Sequence, residues 1–224
     1  MSKRTRTRPV APRPRSTRRP TAASKRAAQS PRRGPIVIAA ISGVALLVVV
    51  IAFVVMTTRN HGATGVAPWP ADPAGLQQRL ENAGLQVLTA EGQVQHTHQH
   101  LDLYVDGAHV TIPAGIGIDT AAQIISPIHT HDTSGIIHVE SPVEMTFTLG
   151  ELFDVWGVHF DAHCVGGTCD GNGRVLSVYS NGQQVTGDPR ALVLTAHLEI
   201  VVAIGQPDQL PNPIPSSYQF PNGD

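Results

Sequence analysis

The chain has 224 residues, with 16 Lys and Arg against 17 Asp and Glu and two cysteines, a length that holds one ordinary domain with appendages rather than two large domains. Its near-zero charge conceals a division. Twelve basic residues and no carboxylate precede residue 35, whereas after residue 57 only Arg59, Arg79, Arg174 and Arg190 stand against all seventeen carboxylates. No nucleophile–base motif, phosphate-binding Gly loop or dinucleotide fingerprint occurs, which removes those enzyme classes from consideration.

In chain order, residues 1–34 are rich in Arg, Pro, Ser and Thr and bury too little apolar surface to offset chain entropy, so a disordered basic tail is expected. It serves as a topology signal and can also touch anionic lipid headgroups; no nucleic-acid partner is expected. Residues 36–56 form an uncharged Val/Ile/Leu/Ala run of the length needed to cross ~30 Å of hydrocarbon. With the basic flank on one side only, the positive-inside rule predicts an uncleaved transmembrane helix over 35–57. A cleaved signal peptide has a shorter apolar region, ~7–15 residues. The N-terminus is then cytoplasmic and the remainder extracytoplasmic in a single-pass membrane protein. Residues 58–72 read as a linker, 73–205 as a His-rich globular ectodomain, and 206–224 as an extended Pro-rich tail.

Within 73–205 the fold class is α+β and mainly β. Asp72 as cap and Pro73 at the first helical position open a short helix with Leu76, Leu80 and Leu85 on one face, ended by Gly84. Strand-like residues 94–105, the turn Asp106-Gly107 and 110–112 make a hairpin with Leu101, Leu103 and Val105 on one face. From 146 onward the pattern is a strand, a helix from Thr148 carrying Leu149, Leu152, Phe153 and Trp156, strands near 175–179 and 185 about the turn Asn181-Gly182, and a final strand at 198–203.

Candidate chemistry concentrates in two segments, QHTHQHLDLYVDG (95–107) and SPIHTHDTSGIIHVES (126–141), which hold six of the eleven histidines. On a strand His96, His98 and His100 share a face, as do His129 with His131 and His138 with Glu140. The ends of the His96–His100 row are ~14 Å apart, so one ion cannot take all three. The chelating unit is a pair two residues apart, joined by ligands from a second segment. The expected metal ligands are His98 and His100 with His129 and His131, and His138 as substitute or fifth ligand; Asp132 and Glu140 are the candidates for supporting the imidazoles from behind. Imidazole-rich sites suit copper or zinc. The competing reading is an exposed histidine row that senses pH. His109, His159, His163 and His197 are isolated by spacing and read as structural or solvent-facing.

Cys164 and Cys169 close the loop CVGGTC. A disulfide is the first reading in an oxidising compartment; the alternative joins them to His159 or His163 as soft copper ligands.

The segments TLGELFDVWG, VYSNGQQV and HLEIVVAIG resemble the β-grasp sulfur-carrier proteins of thiamine and molybdopterin synthesis. That resemblance implies a β-grasp-like C-terminal part. Those carriers need a free C-terminal Gly-Gly, and here Gly205 is followed by Gln206, so sulfur transfer is not implied. The motifs HTHQHLDLYVDG and HTHDTSGIIHVES, with FTLGELFDVWG and VYSNGQQVTGDPR, resemble an uncharacterised family of bacterial membrane-anchored proteins across 95–205; this implies one domain and carries no activity. Three functions remain: a membrane-anchored extracytoplasmic metal-binding domain, a metal-dependent enzyme with Glu140 as base, and an interaction domain without metal, its protein partners unknown.

Overall fold

The computed structural model describes Gly65 and residues 67–221. The tail expected over 1–34, the span over 35–57 and most of the linker lie outside the described residues, among which no helix is long and apolar enough to cross a membrane. What is described is mainly β with two α-helices.

Helix α1 is Leu76–Ala83, its buried face formed by Leu76 and Leu80 and its C-terminus ended by Gly84 at φ 72°, the left-handed conformation that glycine adopts without a Cβ penalty. Its N-cap is Gly75 with no side-chain cap. Asp72 accepts from the Ala74 N–H instead, so it stabilises the turn ahead of the helix and does not cap it.

Strand β1 (Gln95–Val105) and β2 (Ala108–Val110) form the expected hairpin. Asp106 and Gly107 both have positive φ, 49° and 84°, as the two-residue turn compatible with strand twist requires. Next come β3 (Ile118–Asp119), β4 (Ile124–Ile125), β5 (Ile128–His129) and β6 (Ile136–Ser141). Helix α2 (Leu149–Trp156) begins at a capping box in which Thr148 and Glu151 each satisfy the other's backbone N–H. The strand expected just ahead of it is reduced to a single bridge between Thr148 and Val193. The short pair β7 (Cys164–Val165) and β8 (Thr168–Cys169) is followed by β9 (Val175–Ser180), β10 (Gln183–Gln184) and β11 (Glu199–Gly205).

The main sheet has the order β10-β9-β11-β1-β6-β5, with β2 also on β1. β1 is parallel to β11, from His100↔Glu199 to Val105↔Ile204, while its first half is antiparallel to β6. One face carries Leu101, Leu103, Ile137, Val139, Ile200, Val202 and Ile204, which join α1, α2, Phe147 and Phe160 in the apolar core. Strand alternation turns His96, His98, His100, His138, Glu140 and Glu199 to the opposite face.

Trp69 lies in the stretch read as a linker, yet it is a core residue, 3% exposed and edge-on to Trp156 at 6.0 Å. Its indole N–H donates to the Gly65 carbonyl. Residues 206–221 contain no strand, but Tyr218 stacks on the His100 ring at 3.7 Å and Phe220 lies against His197, so this stretch straps the polar face of the sheet.

Candidate metal centre

The pairing register builds the centre. His138 in β6 is directly opposite His98 in β1 on one side and His129 in β5 on the other, and His96 is opposite Glu140. Neighbouring strands lie ~4.8 Å apart, so three imidazoles from three adjacent strands stand in a row on one face. His96, Glu140 and His131 extend that row by one pleat or one loop residue.

The polar atoms converge. His96 Nε2 is 3.1 Å from His98 Nε2, and His129 Nε2 is 3.2 Å from His131 Nε2. Glu140 Oε1 is 3.3 Å from both His96 Nε2 and His138 Nδ1, and 3.9 Å from His129 Nε2. Two groups result, His96, His98, His138 and Glu140, and His129, His131, His138 and Glu140, each with its ligand atoms within 4.8 Å of one another. A tetrahedral ion with Zn–N bonds of about 2.0–2.1 Å holds its ligands ~3.3 Å apart, so the donors already stand at coordination spacing.

His129 is fully buried and its Nδ1–H donates to the Ser126 carbonyl at 2.9 Å. That bond fixes the tautomer and leaves the Nε2 lone pair facing the cluster, the backing that ligating histidines typically have. Burial lowers its pKa to about 4; the Ser126 hydrogen bond pulls upward, and the neighbouring imidazoles His131, His96 and His98 push it down further. Burial raises the Glu140 pKa, with the charge of Glu91 acting in the same sense and His96 and His131 opposing it.

Of the residues expected to bind metal, the structure brings together His98, His129, His131 and His138. Glu140 belongs to the donor group itself, and its Oε1 also lies 3.3 Å from His138 Nδ1. Asp132 accepts from the Ser134 N–H; Ser134 holds its carboxyl below the usual range, and it shapes the turn between β5 and β6. His100 is not part of the group. It shares the face of His98, but its Nδ1 is 2.9 Å from Glu199 Oε2 and its Nε2 is 3.0 Å from the Ser134 carbonyl. Both nitrogens face acceptors, an arrangement the doubly protonated ring satisfies, and with Asp102 and Glu199 His100 makes a separate group of possible ligands. Burial works against that charge, but Glu199, Asp102 and the Ser134 carbonyl outweigh it and raise the His100 pKa.

Two residues outside the expected ligand set join the cluster. His96 is selected over His100 by the β1–β6 register. Glu91 Oε1 is 3.4 Å from His131 Nε2 at the rim. It is brought there because Gly92 packs against the Ser141–Pro142 backbone with no room for a Cβ. No local pattern marks Glu91.

Cys164 and Cys169 are joined in a disulfide. Their sulfurs are therefore not thiolate ligands; nearby His159 is held by Asp161 and His163 by Asp170. Comparison with known protein families, curated proteins and solved structures finds no match.

Proposed function

We propose that this chain is a membrane-anchored, extracytoplasmic protein whose domain captures copper or zinc through its histidine cluster. The observation that carries the reading is the arrangement at His129: a buried imidazole with Nδ1–H committed to Ser126 and Nε2 facing His131 and Glu140. A histidine satisfied for purely structural reasons does not need further imidazole nitrogens at coordination spacing. Placement outside the membrane is supported by the charge division, the apolar run at 36–56 and the Cys164–Cys169 disulfide, which belongs to oxidising compartments. The basic tail would then lie at the cytoplasmic leaflet, where anionic headgroups attract it.

Glu140 Oε1 lies 3.3 Å from both His96 and His138, within the donor group, which favours metal capture over a role as general base. On the fold, the order β2-β1-β11-β9-β10 with its central parallel pair supports a β-grasp-like reading. Its first hairpin is β1–β2, so the grasp is not confined to the C-terminal part. Strands β3 to β6 are inserted between hairpin and helix, and the cluster sits where the insert meets β1.

The test is elemental analysis and X-ray absorption on untagged full-length protein in detergent. Bound copper or zinc with three or four imidazole ligands, lost in the His98→Ala/His131→Ala double variant, is expected. A folded wild-type chain that binds neither ion refutes the proposal.

A further inference from the structure

The centre holds six donor side chains, Glu140 among them, two more than a tetrahedral ion takes. They divide evenly. Each of the two groups has its own histidine pair and shares His138 and Glu140 with the other. The pairs approach from opposite sides of β6, His96 and His98 from β1 and His129 and His131 from the β5 segment. Within each pair the nitrogens are 3.1 and 3.2 Å apart, so each pair can chelate an ion by itself, with His138 and Glu140 common to both. One oxygen of Glu140, Oε1, faces both pairs, 3.3 Å from His96 Nε2 and 3.9 Å from His129 Nε2.

We propose that the centre binds two metal ions, one on each histidine pair, with the Glu140 carboxylate bridging them; this presupposes the metal-binding function. A carboxylate can bridge two ions through a single oxygen, as the placement of Glu140 Oε1 between the pairs allows, and two-metal sites hold their ions about 3.5–4 Å apart. Such a pair needs more anionic charge than one carboxylate supplies. Glu91, 3.4 Å from His131 at the rim, is the second carboxylate at the site.

Zinc is the probe. Full-length protein in detergent is stripped with chelator, titrated with zinc, and weighed by native mass spectrometry, with surface binding set by a variant lacking all four pair histidines. Two zinc ions per chain above that background are expected, with one remaining in His96→Ala/His98→Ala and one in His129→Ala/His131→Ala. Because His129 is buried, loss of folding in its variant is checked by circular dichroism. X-ray absorption of the wild type is the readout independent of any variant, and it should show metal–metal scattering at about 3.5–4 Å. One zinc per wild-type chain without metal–metal scattering overturns the two-ion centre and leaves the capture function standing. No zinc at all overturns both.

Discussion

Replacing His129 by Asn tests how the buried ring behaves before any ion arrives. The amide nitrogen of Asn occupies the place of Nδ1 and keeps a donor to the Ser126 carbonyl, but it does not titrate. In the wild type the native pKa is about 4 against ~6.5 in the unfolded chain. Between those values the unfolded state binds the proton and the native state does not, so native stability falls as pH drops from ~6.5 toward 4. At pH 5 the unfolded ring is almost fully protonated and the native ring only about one-tenth so, which lowers stability by about 2 kcal/mol relative to pH 7. His100 acts in the opposite sense: its raised pKa gives stability that is complete below ~6.5 and lost as pH rises through its native value. Because both proteins retain His100, the difference between them isolates His129. Urea unfolding in chelator at pH 7 and pH 5 is the assay. His129→Asn should lose about 2 kcal/mol less than the wild type on acidification; equal losses refute the assignment of a buried neutral ring.

Four further substitutions test neighbouring contacts. His100→Ala leaves Glu199 buried without its cation and should cost about 3–5 kcal/mol in urea unfolding while leaving zinc content unchanged, whereas His98→Ala should weaken zinc binding by at least ~10-fold with a smaller loss of stability. Gly166→Ala puts a Cβ into the Trp69 ring at a backbone φ of 55° and should cost about 1–3 kcal/mol, with a red shift of tryptophan emission; unchanged emission and unfolding midpoint count against Trp69 as a core residue. Thr148→Ala removes one half of the capping box on α2 and should lower stability by ~1 kcal/mol, read as a lower urea midpoint with an unchanged slope.

The histidine pairs were legible because strand alternation puts i and i+2 on one face, and HTHQH, HTH and HVE each show that period. The choice between His96 and His100 was not. It depends on two long-range facts, the β1–β6 register that sets His96 opposite Glu140 and the parallel β1–β11 pairing that sets His100 opposite Glu199, 99 residues away. Nothing within a window of ten residues encodes either. The Asp106-Gly107 turn, the Gly84 terminus and the helix at Thr148 were legible because local backbone requirements decide them. Trp69 was missed because Pro68, Pro70 and the glycines around it carry the composition of a tether, while its burial depends on Trp156 and Gly166 far along the chain. The Pro-rich C-terminus hid the contacts of Tyr218 and Phe220 for the same reason.

The two halves of the polar sheet face meet different fates, and that division explains how an ion could reach donors that are largely buried. Near β11 the face is closed: Val201 and Ala203 are fully buried, and Tyr218 covers His100. Near β5 and β6 burial is graded across the cluster. His98, His129 and Glu140 are buried, while the side chains of His96 and His131 are 54% and 42% exposed. Each pair thus combines one exposed imidazole with one buried imidazole at its coordination distance. An incoming ion can exchange water for the outer nitrogen first and then gain the inner one without leaving the outer, so desolvation proceeds in steps and an ion is never wholly without ligands. The strands fix the inner donors before the ion arrives, which reduces the ordering cost of binding. Selection then rests with the inner donors His98, His129 and Glu140, which strand register and the Ser126 carbonyl behind His129 hold in place.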